Sequence, residues 1–274
     1  MGLVLAGLNI LLPALYFIVV WTYGKAFFSD LSWAESAKTR LLIATLTLHL
    51  FYLLARTVEF GHPPVTTIFE ILTVLAFCVA TAYLVIEFRS KSRETGYFII
   101  NIAFFFQFVS SIFIKDLTEV PPILRSSFFG LHVSAALLGY AAITLSAVYG
   151  FLYLMLYHEI KASKFGTIYK KLPKLETLER MSFTAFKMAF LFLGIAILVG
   201  FFWLPRTFPN FSYGDPKLVG TVVLWFLYGL GILAKRFGDW KGRRVMILAV
   251  CGFGITIFSM IAINIFFSGF HNFY

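Results

Sequence analysis

The chain is a succession of apolar runs, near 3–23, 41–56, 66–88, 97–114, 126–156, 184–204, 217–234 and 246–267, separated by short polar stretches. A hydrocarbon layer of about 30 Å is crossed by roughly 20 such residues in a helix, and lipid offers backbone groups no other partner. Each run therefore predicts a membrane-crossing α-helix. The expected fold is all-α: a polytopic membrane protein with about eight transmembrane helices, one domain over residues 1–274, and no room for a separate soluble module. Composition excludes the alternative, because 60% of the 274 residues are hydrophobic and only 13% charged, more apolar surface than a water-soluble core could enclose. The first run is too long for a secretory signal and lacks the basic lead-in and cleavage site, so it reads as a retained span. The run 126–156 exceeds one bilayer thickness and predicts a helix that tilts or projects.

Net charge is +10, yet the basic residues fall in short loops between runs, a pattern that reports membrane topology and gives no reason to expect nucleic acid. Odd-numbered loops carry Lys25, Lys38 and Arg40; Arg89, Lys91 and Arg93; Lys161, Lys164, Lys170, Lys171, Lys174 and Arg180; and Lys235, Arg236, Lys241, Arg243 and Arg244. Even-numbered loops carry only Arg56, Lys115, Arg125, Arg206 and Lys217. The positive-inside rule places odd loops in the cytoplasm and both termini on the extracytoplasmic side. A bacterial cytoplasmic (inner) membrane is the expected location.

The two cysteines, Cys78 and Cys251, sit inside apolar runs without CxxC or CxxCH spacing, so neither a disulfide nor covalent heme attachment is indicated. The histidines sort by this topology. His62, His132 and His271 share the outer face, His49 lies within the second span, and His158 falls at the cytoplasmic end of the fifth. Imidazole is an axial ligand for heme iron and a ligand for zinc or copper, so outer histidines on different helices could clamp a metal centre; a single one serves as well as a headgroup-level polar residue. No HExxH, paired carboxylate or cysteine cluster accompanies them, which removes the remaining ligands of a hydrolytic zinc site. Heme asks for less: axial ligands, a flat aromatic slot and basic partners for its propionates. The sixth loop supplies Trp203, Phe208, Phe211 and Tyr213 beside Arg206 and Lys217, with Arg56 and Arg125 on the same face. An interfacial aromatic belt would look the same. Glu70 is a carboxylate at span depth, expected to be functional or paired with Arg56. Asp215 before Pro216 reads equally as a helix N-cap. Trp225 and Tyr228 read as packing residues.

Ordered matches along nearly the whole chain resemble the CcsA/ResC-type cytochrome c assembly proteins. They are His49-Leu-Phe-Tyr-Leu-Leu-Ala-Arg56, Gly61-His62-Pro63, Ile68-Phe69-Glu70, Leu131-His132-Val133-Ser134, Leu138-Gly139-Tyr140-Ala141, Gly238-Asp239-Trp240-Lys241-Gly242-Arg243-Arg244 and Asn264 to His271. The resemblance implies that His132 and His271 are axial ligands of a non-covalently held heme b lying against an outer tryptophan-rich segment. It further implies that the heme passes to apocytochrome c with the help of a CcsB-like membrane subunit. His49 and His62 match family positions, and Asp215-Pro216-Lys217 matches the end of the tryptophan-rich segment. The chain departs from the family there, reading Pro205 to Asp215 with aromatics but no tryptophan after Trp203. It departs again at Leu233, where full heme exporters carry a histidine. Both departures resemble the short HemX-like branch. That branch implies a second reading, a membrane regulator of glutamyl-tRNA reductase and tetrapyrrole supply that contacts the enzyme through loops 158–183 and 235–245.

Overall fold

The computed structural model describes residues 2–90, 93–117, 126–207, 212–214, 216–240 and 242–266, without the side chains of 90, 206, 207, 217 and 260–266. All regular structure among them is helical: α1 (Gly2–Ser29), α2 (Ser32–Phe60), α3 (Ile68–Ser90), α4 (Gly96–Phe113), α5 (Ser127–Lys161), the single turn α6 (Thr167–Lys171), α7 (Leu175–Thr207), α8 (Pro216–Phe237) and α9 (Arg243–Phe266). Seven of these, α1 to α5, α7 and α8, are long and apolar enough to cross a membrane. The eighth expected run is met by the 24-residue α9. The protein is a multi-pass, all-α membrane protein.

Several helices outrun the apolar windows, because the hydrogen-bonded ladder continues through polar flanking residues. The first loop shrinks to Asp30 and Leu31. Lys25, Lys38 and Arg40, expected in that loop, are helical, and Lys38 is folded back onto Glu35 at 2.8 Å. Arg89 is likewise in the last turn of α3. At about 1.5 Å per residue, the 35-residue α5 is roughly 50 Å long, longer than one bilayer thickness, as expected of a helix that tilts or projects.

The contacts group into two compact units, Met1–Arg125 and Ser126–Tyr274. In the first, α1 packs on α2 and α4, and α3 on α2 and α4, an alternating four-helix bundle. Leu5, Leu8 and Leu12 of α1 fill its centre against Tyr52, Leu53 and Ala55 of α2. In the second, α5 packs on α7 and α9, and α8 closes the ring on the same pair. Small residues let α5 and α7 approach closely. Ser146 Oγ donates to Ser182 O at 3.0 Å, Ser182 Oγ donates to Ser146 O at 2.7 Å, and a Cβ on Gly139 would lie 2.9 Å from Leu193. Trp225 stacks on Phe190 (4.8 Å) and Tyr228 on Phe186 (4.1 Å), the packing roles expected of them.

Candidate functional site

His132 lies in the second turn of α5. That helix starts where Ser126 accepts a hydrogen bond from Phe129 N at 3.1 Å, an N-cap that fixes the helical phase and turns His132 toward α7. There His132 Nδ1 is 2.9 Å from Ala196 O. A carbonyl only accepts, so Nδ1 carries the proton and Nε2 carries the lone pair of the neutral ring. Nε2 has no hydrogen-bond partner among the described residues. Gly200, one turn beyond Ala196, makes room for the ring: a Cβ there would lie 3.0 Å from His132 Cε1 and 3.1 Å from Nδ1. Trp203, on the same side of α7, meets Phe129 of α5 with ring centres 6.2 Å apart, and Phe201 meets Tyr213 at 5.1 Å. An imidazole tautomer fixed by a carbonyl, with the other nitrogen presented beside aromatic rings, is the arrangement that orients histidine ligands of metals and hemes. The residues present fit a heme ligand at this position.

Several sequence-singled residues fall elsewhere. His271, Asp215, Phe211 and Arg125 lie outside the described residues, as do the side chains of Arg206 and Lys217. Helix α8 does begin at Pro216, as the Asp215-Pro216 pattern predicts. His158 lies in the last turn of α5.

The first unit places His49 and His62 in hydrogen-bonded positions. His49 is fully buried, with Nδ1 3.0 Å from Tyr16 Oη and Nε2 3.0 Å from Thr73 Oγ1. Thr73 donates its own proton to Gln107 Oε1 at 2.7 Å, so His49 Nε2 donates to Thr73 and Tyr16 donates to His49 Nδ1. The chain continues from Gln107 to Ser111 Oγ at 3.0 Å, from Asn9 to Ser111 O at 3.0 Å, and from Tyr52 to Asn9 at 3.2 Å, drawing on all four helices. His62 follows Gly61, which ends α2 with φ 69°, the left-handed conformation that glycine adopts readily. Its two nitrogens meet Pro63 O and Leu117 O, each at 3.0 Å. In this arrangement neither ring turns an unshared lone pair toward a ligand.

Arg56 pairs with Glu70 at 3.2 Å, the partner expected for that carboxylate, and with Asp116 at 2.9 Å, a residue the sequence reading passed over. A second polar cluster was also missed: buried Glu87 accepts from Tyr23 Oη at 2.6 Å and from Thr39 Oγ1, with Arg93 at 3.9 Å. A lone acid at a span end was its signal. No group of three or more His, Cys, Asp or Glu among the described residues is placed to hold a bare metal ion.

Eight apolar runs realised as helices, together with a histidine oriented by a carbonyl of the neighbouring helix beside aromatic rings, define a polytopic membrane protein. Residues 11–271 match the family described as cytochrome c assembly protein, and the chain belongs to that family. Among its curated relatives are proteins named cytochrome c biogenesis protein CcsA. That of Trieres chinensis is 23% identical, with 88% of this chain and 86% of the relative aligned. That of Prochlorococcus marinus strain NATL1A is 25% identical (90% and 88%), and that of Chlorella vulgaris 25% (81% and 80%). The chain is thus a CcsA-type member at the level of family.

Proposed function

We propose that this protein acts in cytochrome c biogenesis, binding heme b non-covalently on the outer face of the membrane and releasing it to a partner. The observation that carries the reading is His132: Ala196 O holds Nδ1–H, and Nε2 is left to bind iron. His271 supplies the second axial ligand. Trp203, Phe211 and Tyr213 cover the porphyrin, Arg206, Lys217, Arg125 and Arg56 are the candidates for its propionates, and Asp215 is a further candidate of the heme-binding segment. His49 and His62 hold the first unit in shape. The recipient is apocytochrome c, reached with a CcsB-like membrane subunit, and the membrane is the bacterial cytoplasmic membrane with both termini outside. The protein binds and transfers; no bond of the substrate is broken by its own groups. The names of the relatives favour this reading over regulation of glutamyl-tRNA reductase.

The test is the visible spectrum of the purified full chain with added hemin, oxidised and reduced. A bis-histidine spectrum is expected from the native protein and its loss from His132→Ala and from His132→Ala/His271→Ala. A native protein that takes up no hemin, or a double variant with an unchanged spectrum, would overturn the proposal.

A further inference from the structure

Arg56, one turn before the end of α2, has its side chain 3% exposed, its Cζ 4.8 Å from the centre of the Phe60 ring and 5.8 Å from that of Tyr52. A buried guanidinium requires counter-charge, and here two carboxylates of opposite character provide it. Glu70 is 1% exposed and tied down: it accepts from Thr66 N at 2.9 Å, Thr66 Oγ1 at 2.5 Å and Arg56 Nη2 at 3.2 Å. Asp116 accepts from Nη1 at 2.9 Å, yet its side chain is 66% exposed, it stands in non-helical backbone after α4, and it has no other partner among the described residues. Arg56 Nε is buried and meets no acceptor among the described residues. The guanidinium is therefore neutralised by one fixed acid, held by one releasable acid, and left with a donor unmet.

We propose that Arg56 is a carboxylate-receiving site and that Asp116 is its intramolecular occupant, displaced by a carboxylate of an incoming porphyrin. The choice of porphyrin rests on the heme reading above; the exchange itself rests on the geometry. Releasing an exposed aspartate to water costs little, because solvent already screens the pair. Glu70 stays in place throughout, so the buried charge is never stripped of its partner, and one carboxylate replaces another with no change in local charge. The displacement is also confined. Lys115 O accepts from Arg56 Nη2 at 3.2 Å and Leu117 O meets His62 Nε2 at 3.0 Å, so the flanking residues stay tied when Asp116 swings out. Phe60, whose ring lies against the guanidinium and is only partly buried, adds apolar surface to the site, a contact open to a macrocycle and not to a small acid.

The experiment uses the full chain in zwitterionic nanodiscs with metal-free protoporphyrin as the free diacid and as its dimethyl ester, followed by porphyrin fluorescence. Without iron the probe does not engage His132, so failure here is distinguishable from failure of the hemin experiment. Removing an exposed competing pair predicts that Asp116→Asn binds the diacid about two- to fivefold more tightly than the native chain, with ester binding unchanged. Arg56→Lys should lose the preference for diacid over ester. Asp116→Asn is on the surface and should keep the native unfolding curve, which secures the comparison if Arg56→Lys fails to fold. No gain for the diacid, or an equal gain for the ester, would overturn the proposal. Competition by acetate as strong as by the diacid would overturn the assignment to a porphyrin.

Discussion

Replacing His49 by phenylalanine should destabilise the first unit by an amount that depends on whether Tyr16 keeps its hydroxyl. In the native chain Tyr16 Oη donates to His49 Nδ1 and His49 Nε2 donates to Thr73 Oγ1, with all three residues buried. Phenylalanine keeps the bulk and removes both bonds. Thr73 is only partly deprived, since its proton still goes to Gln107; a bond of this kind between transmembrane helices is worth about 0.6 kcal/mol. Tyr16 is left with a buried donor and no acceptor, a penalty of about 1–3 kcal/mol. His49→Phe should therefore cost about 2–3 kcal/mol. Tyr16→Phe alone leaves Nδ1 unmet and should cost about 1–2 kcal/mol. The double variant orphans neither group across that contact and should cost about 1 kcal/mol, less than the sum of the two single costs by about 2–4 kcal/mol. The measurement is reversible unfolding in mixed micelles, monitored by helical circular dichroism, across all four members of the cycle. Additivity within about 0.5 kcal/mol would refute the direct Tyr16–His49 bond. The His49→Phe chain should also retain the hemin spectrum, because its imidazole nitrogens serve the bundle.

Gly200→Ala should weaken hemin binding severalfold and Gly200→Val should abolish it, since each Cβ intrudes on the His132 ring and lengthens its bond to Ala196 O; titration by absorbance reads both, and unchanged affinity in Gly200→Val would exclude the orienting role. Glu87→Ala should lower stability by about 2–3 kcal/mol in the same unfolding assay by orphaning the Tyr23 and Thr39 hydroxyls, and Glu87→Gln by less, because the amide oxygen still accepts from one of them. Gly242→Ala should cost more than about 1 kcal/mol, because φ is 51° and the added methyl would meet Tyr153 Oη; a neutral result would mean that the turn before α9 relaxes freely.

The helices were legible because a bilayer imposes one length and one backbone solution, so composition and spacing alone mark where chain crosses lipid. The Glu70 partner of Arg56 was legible for a related reason: a carboxylate at span depth must find a cation. The helix ends were not, since Lys38 and Arg89 look like loop charges, whereas Lys38 lies within α2 against Glu35 and Arg89 in the last turn of α3. The roles of individual histidines were least legible. His49, His62 and His132 are alike as letters, and what separates them is whether the second ring nitrogen meets a protein atom. That depends on Thr73, Leu117 and Ala196, which stand 24, 55 and 64 positions away. Asp116 escaped notice because nothing in its neighbourhood in sequence distinguishes an exposed acid from one that covers a buried arginine.

The polar chain of the first unit also bears on how this protein can drift over generations. Tyr16, His49, Thr73 and Gln107 come one from each of four helices, and each satisfies the next. No substitution at one of them can be rescued by a neighbour on the same helix, so a lineage that loses His49 should carry matched replacements on α1 and α3. The outward stripe of α8, Val219, Val223, Phe226 and Leu230, asks only for greasiness and should wander among aliphatic and aromatic residues with no echo elsewhere.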